Sequence, residues 1–233
     1  MTISAEKLRA SVVAGCQALA ERGLTAGTSG NVSVRNGKDG FFVSPSGLDY
    51  AHMMPPDVPF VTLDGTWYGL KRPSTEWRFH RDIYKVREDA EAVVHTHSRY
   101  ATALACRREG VPAFHYMVAI AGGNDIRCAP YATFGTQELS DMALQALDGR
   151  SACLLANHGV IALGSSVEKA LRLAEEVENL AAQYVISLRQ GAPILLDDDE
   201  MQRVLNKFQT YGSQEAAAEG LSFGGENIPN SHT

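Results

Sequence analysis

Helical patterns alternate with short apolar strand patterns along almost the whole chain, and that close alternation constrains the fold most. Apolar residues recur at helical spacing through Leu8, Val12, Val13, Cys16 and Leu19, predicting a helix over residues 1–22. Further helical patterns cover residues 74–88, 100–108, 136–147, 166–189 and 199–208. Strand patterns lie at residues 31–35, 40–43, 60–63, 92–97, 126–130, 152–156 and 160–163, with turn signals at Asn36-Gly37 and Asp64-Gly65. Elements mixed this closely predict a layered α/β fold in a single domain rather than two domains. A length of 233 residues suffices to bury one such core. The domain is expected over residues 1–211, followed by a C-terminal tail over 212–233, where Gly, Ser, Ala, Glu and Asn dominate.

Charge and composition then remove several functions. With 45% hydrophobic and 21% charged residues overall, the body of the chain has none of the disordered or collagenous signatures. A formal net charge of -6 offers no broad basic field to a phosphate backbone, so no nucleic-acid partner is expected. A local pocket for a phosphorylated metabolite remains compatible with that charge. No apolar run approaches the roughly 18 residues of a membrane span, and charged residues interrupt the N-terminal stretch as a signal peptide would not allow. Cys16, Cys106, Cys128 and Cys153 form no CxxC pair and read as reduced thiols, so a cytoplasmic location is expected.

Three signals carry chemistry. His95-Thr96-His97 falls on a strand pattern, where residues two apart face the same way and both imidazoles can reach one ion. His158, in Asn157-His158-Gly159 at the end of the 152–156 strand, offers a third; Gly159 is expected to make the sharp turn. Three histidines with a vacant fourth position match a catalytic rather than a structural zinc, while His158 taken alone reads as a hydrogen-bonded turn residue. Pro73-Ser74-Thr75-Glu76 places Ser74 or Thr75 as a helix N-cap and Glu76 in the first turn, an end that suits phosphate. A plain capped helix is the alternative, and His80, four residues after Glu76, is expected at the surface. Two glycine-bearing loops, Thr28-Ser29-Gly30-Asn31 and Ser44-Pro45-Ser46-Gly47, offer hydroxyls and backbone N–H groups to an anion, or are simply turns. Neither is a P-loop or a dinucleotide fingerprint.

Taken in order, these segments resemble the class II aldolase/adducin family, and the fuculose-phosphate aldolase type within it. The resemblance runs from Gly27-Thr28-Ser29-Gly30-Asn31-Val32-Ser33 through Ser44-Pro45-Ser46-Gly47, Ser74-Thr75-Glu76-Trp77 and His95-Thr96-His97 to Asn157-His158-Gly159. It implies a central, largely antiparallel sheet flanked by helices, in a homotetramer with active sites between subunits. It also implies one zinc ion per subunit (Mn2+ or Co2+ being possible substitutes) on His95, His97, His158 and Glu76. By the same likeness Glu76 acts as the base. Gly30, Asn31, Ser46, Gly47, Ser74 and Thr75 hold the phosphate of a phosphorylated sugar. Tyr116 matches a proton-transferring tyrosine from the neighbouring subunit, Phe134 a pocket aromatic, and Phe208 with Tyr211 a C-terminal pair over the aldehyde end. Thr75 departs from a more usual second serine and keeps the hydroxyl.

The implied reaction is cleavage of a ketose 1-phosphate into dihydroxyacetone phosphate and a small aldehyde. The ketose is L-fuculose 1-phosphate or a 5-deoxy- or 5-methylthio-pentulose 1-phosphate, the latter belonging to methionine salvage. Related zinc sites serve pentulose-phosphate 4-epimerases, methylthioribulose-phosphate dehydratases and sugar-acid phosphate decarboxylases. The aromatic aldehyde end favours aldol cleavage over these. A non-catalytic adducin-like interaction head has no need of three histidines and a glutamate.

Overall fold

A computed structural model describes residues 4–208. Its centre is an eight-stranded sheet in the order β4-β3-β2-β1-β5-β8-β7-β6. In chain order the strands are β1 (Asn31–Asn36), β2 (Gly40–Val43), β3 (Phe60–Thr62), β4 (Trp67–Tyr68), β5 (Ala92–Thr96), β6 (Cys128–Ala129), β7 (Ala152–Leu155) and β8 (Gly159–Gly164). Every pairing is antiparallel except that of β6 with β7, so the expected largely antiparallel sheet is what forms.

Helices cover both faces. On one lie α1 (Ala5–Glu21), α3 (Arg99–Cys106), α5 (Val167–Leu188) and α6 (Asp198–Phe208); on the other lie α2 (Trp77–Val86) and α4 (Gln137–Ala146). The two-residue strand period sorts side chains between two cores. Ala92 and Val94 of β5 join Val12, Leu104 and Leu171, whereas Val93 joins Phe79, Ile83 and Leu139. His95 therefore continues the Val93 row and points toward α2, with its ring 5.5 Å from that of Phe79. Across the β1–β5 ladder Asn31 stands directly opposite His95, which fixes one end of the functional site by register alone.

Several boundaries differ from expectation for physical reasons. α2 begins at Trp77, not at residue 74, and Glu76 rather than Ser74 or Thr75 is its N-cap. The Ser74 N–H donates to the Ser44 carbonyl at 2.9 Å, and Pro45 and Pro73 form a bridge. Residues 73 and 74 are thus tied to the neighbouring loop before the helix can start. Thr96, not His97, ends β5, and β4 after the Asp64-Gly65 turn is an added exposed strand. His80, expected at the surface, is completely buried, because α2 packs against both the sheet and α4. Among the described residues no helix is long and apolar enough to cross a membrane. Tyr211 and the 212–233 segment lie outside the described residues.

Candidate metal centre and substrate pocket

The three histidines converge. His95 comes from β5, His97 from the residue just beyond that strand, and His158 from the turn between β7 and β8. Their ligand nitrogens all lie within 4.8 Å of one another, a spacing that one ion can share. Glu76 closes the fourth side: Oε2 lies 3.3 Å from His95 Nε2, and Oε1 lies 3.1 Å from His158 Nε2.

The donor set suits a cation on grounds of its own. His95 Nδ1 lies 2.8 Å from the Val160 carbonyl, which can only accept, so Nδ1 carries the proton. The bare lone pair of Nε2 then faces His97 Nε2 at 2.9 Å and the Glu76 carboxylate. Two acceptors aimed at each other in a buried site repel unless a positive charge sits between them. A hydrogen bond to the far ring nitrogen is also the usual way a ligating imidazole is oriented.

Electrostatics favour protonation states in which these groups could bind a cation. Burial raises the Glu76 carboxyl pKa, but protons on the facing nitrogens of His95 and His158, standing where a cation's charge would lie, outweigh it and hold the group well below the usual carboxylate range. Burial, helped by the neighbouring His95 and His158, pushes His97 down to about 4, so its imidazole is neutral at pH 7. Metal binding needs these protonation states.

The turn that presents His158 is built differently from expectation. Asn157, not Gly159, takes the left-handed conformation, with φ 54°; asparagine tolerates that region better than most residues. Its N–H donates to the Ala105 carbonyl at 2.9 Å, and Arg108 Nε donates to its Oδ1 at 3.1 Å. Gly159 serves close approach instead. A Cβ there would stand 2.2 Å from the Thr96 carbonyl oxygen, 2.8 Å from His97 Cδ2 and 3.2 Å from His95 Cε1. Gly159→Ala must therefore displace β5 backbone and the rings of two candidate ligands at once. The expected result is a loss of metal affinity of about 10–100-fold, read by titrating metal into stripped protein; unchanged affinity would contradict this packing argument.

Beside the metal centre opens a pocket of ≈360 Å³, within the size range of small-molecule sites. Its rim brings together the segments singled out in the sequence: Thr28 to Asn31, Pro45 to Gly47, and Ser74 to Glu76, with His97, Asn157 and His158 at the metal end. Tyr131, Ala132 and Phe134 form the remaining wall; Tyr131 and Ala132 carried no sequence signal. Gly47 adopts φ 68°, which glycine reaches without strain. The Tyr50 hydroxyl donates to the Gly30 carbonyl and pins the first loop. Ser74 Oγ accepts from the Glu76 N–H at 3.3 Å. Among the described residues no lysine or arginine lines this pocket, so an anion there would meet hydroxyls and backbone N–H groups. Tyr116 and Phe208 are not brought to it. They line a separate hollow of ≈590 Å³ with His115, Leu196 and Val204, and Tyr116 is half-exposed there.

This sheet, flanked by helices and carrying three converging histidines, places the chain in a known group: it belongs to the class II aldolase and adducin N-terminal domain family, whose sequence profile matches residues 10–185. Within that family it stands with the aldolases, which are carbon–carbon lyases. It is 53% identical over 205 residues to a 5-methylthioribulose-1-phosphate/5-deoxyribulose-1-phosphate aldolase of Rhodospirillum rubrum, spanning 88% of this chain and 92% of that protein. Identity is 46% over 207 residues to the L-fuculose phosphate aldolase of Escherichia coli K12, spanning 88% and 96%. A solved L-fuculose 1-phosphate aldolase superposes with a TM-score of 0.85 at 39% identity, over 89% of this chain and 99% of that one.

Proposed function

We propose that this enzyme is a zinc-dependent aldolase that cleaves a ketose 1-phosphate into dihydroxyacetone phosphate and a small aldehyde. The ketose is a 5-deoxy- or 5-methylthio-pentulose 1-phosphate or L-fuculose 1-phosphate, as the names of the relatives suggest. The observation that carries the reading is the meeting of a His95–His97–His158–Glu76 cluster with a rim of anion-suited loops in one pocket.

His95, His97 and His158 would hold the metal, with Glu76 on the fourth side, next to the pocket that takes the ketose. A bound zinc ion supplies Lewis-acid polarisation of the ketose oxygens. Glu76, ionised and next to the pocket, then carries the proton to and from C3 of the dihydroxyacetone phosphate half. Backbone N–H groups at Gly30 and Gly47, with the Asn31 amide and the hydroxyls of Ser46, Ser74 and Thr75, bind and orient the phosphate. Phe134 borders the aldehyde end, which suits a methyl or methylthio group.

Tyr116 and Phe208 share a hollow away from this pocket. In a homotetramer they would complete the site of a neighbouring subunit, where the Tyr116 oxygen would take the proton of the C4 hydroxyl during cleavage. The four unpaired cysteines fit a reducing, cytoplasmic setting.

Phosphate recognition gives a direct test. Ser74→Ala should weaken binding of a ketose 1-phosphate by roughly 1–3 kcal/mol, since a buried hydroxyl paired with a dianion is lost. Competition by inorganic phosphate should fall in parallel. Equal catalytic efficiency on phosphorylated and unphosphorylated ketoses would overturn the assignment of these loops.

A further inference from the structure

A polar chain runs through the core behind the metal centre, between α2 and β1. Tyr84, Ser33, His80, Asn31 and Glu76 are linked in that order, and each is at least nine-tenths buried. We propose that His80 is a positioning residue for the reaction: through Asn31 it fixes the orientation of the Glu76 carboxylate. This rests on the reading of Glu76 as the group that moves the proton at C3.

The direction of the chain follows from what each group can donate. An ionised carboxylate only accepts, so the atom of Asn31 that meets Glu76 Oε2 at 3.0 Å is the amide nitrogen. Asn31 Oδ1 is thereby turned to His80 Nε2, 2.5 Å away, and a carbonyl oxygen must accept. His80 Nε2 therefore carries the proton, and its Nδ1 accepts from the Ser33 hydroxyl at 2.6 Å. That hydroxyl has used its proton, so the Tyr84 hydroxyl donates to Ser33 Oγ at 2.7 Å. Five groups thus point one way, from Tyr84 to Glu76.

His80 holds its own place firmly. Its ring stacks on Phe79 with centroids 4.6 Å apart, and Phe41 lies beyond at 6.4 Å. The Arg35 guanidinium lies over the Tyr84 ring at 4.8 Å and anchors the far end.

The consequence lies at Asn31. Its amide is nearly isosteric on a half-turn, and a flipped amide would present oxygen to the carboxylate oxygen of Glu76. The Nε2 proton of His80 forbids that flip, because the flipped amide would meet it with N–H groups. A carboxylate held in one orientation reaches C3 in the same geometry each cycle, and small misplacements of a reacting group are costly.

Two substitutions separate this role from simple packing. In His80→Gln the amide nitrogen extends to the position of Nε2 and keeps the bond to Asn31. In His80→Asn the shorter amide replaces Nδ1, keeps Ser33 and falls short of Asn31. Measured per folded, metal-loaded chain, the Asn variant should lose about 10–100-fold in kcat with metal content unchanged, while the Gln variant retains most of the wild-type rate. Equal kcat in the two variants, or a loss confined to KM or metal content, overturns the proposal. A second readout needs no turnover: 15N NMR of the wild-type imidazoles should show His80 as the Nε2–H tautomer. An Nδ1–H tautomer reverses the chain and overturns the proposal as well. Absence of aldol cleavage in the wild type would instead overturn the reading of Glu76, with the tautomer still reporting on the chain.

Discussion

Glu76→Gln retains most of its metal and phosphate affinity and loses turnover by on the order of 10²–10⁴-fold. The amide copies the shape of the carboxylate, so the helix start at Trp77 and the contact with Asn31 can persist. What it removes is basicity. Three imidazoles already converge without Glu76, so metal retention does not depend on the carboxylate. The side chain is nevertheless buried, ionised and on the wall of the pocket, where a displaced carboxylate would lie next to substrate carbon. Glu76→Asp should also fail, for a different reason, since one methylene fewer withdraws the oxygens from the reacting carbon. Metal content measured beside C3 proton exchange in dihydroxyacetone phosphate separates the cases. Near-normal exchange in a metal-loaded Gln variant would mean that another group carries the proton.

The His95→Ala, His97→Ala double variant loses the metal and the activity together. Content should fall from about one ion per chain to background, because a single imidazole with a carboxylate makes a poor site for zinc. His95 is fully buried and committed to the Val160 carbonyl, so no nearby side chain can take its place. Removing two rings also relieves the crowding of lone pairs around Glu76. The variant should therefore remain folded while inactive, with its far-UV circular dichroism unchanged. Full metal content in that variant would overturn the histidine assignment.

Much of this site was readable from sequence because strand geometry is simple. A two-residue period suffices to put His95 and His97 within reach of one ion, and glycine- and hydroxyl-bearing loops announce themselves. The unread parts depend on partners distant in the chain. Ser74 and Thr75 have the right chemistry for a cap, yet the hydrogen bond from Ser74 to Ser44 decides that the helix starts at Trp77. His80 looks like a surface histidine until Ser33 and Asn31 are brought against it by β1. Gly159 invites the reading of a turn glycine, but its role depends on the strand packed beside it, where Thr96 and His97 leave no room for a Cβ.

The most direct test of the account is release of dihydroxyacetone phosphate by purified protein from a panel of ketose 1-phosphates. L-fuculose 1-phosphate, 5-deoxyribulose 1-phosphate and 5-methylthioribulose 1-phosphate form the panel, each assayed before and after a chelator and again with zinc restored. Release from at least one of them, loss with the chelator and recovery with zinc are expected. No release from any of the three by metal-loaded protein, or release undiminished after the metal has been removed, would contradict the account.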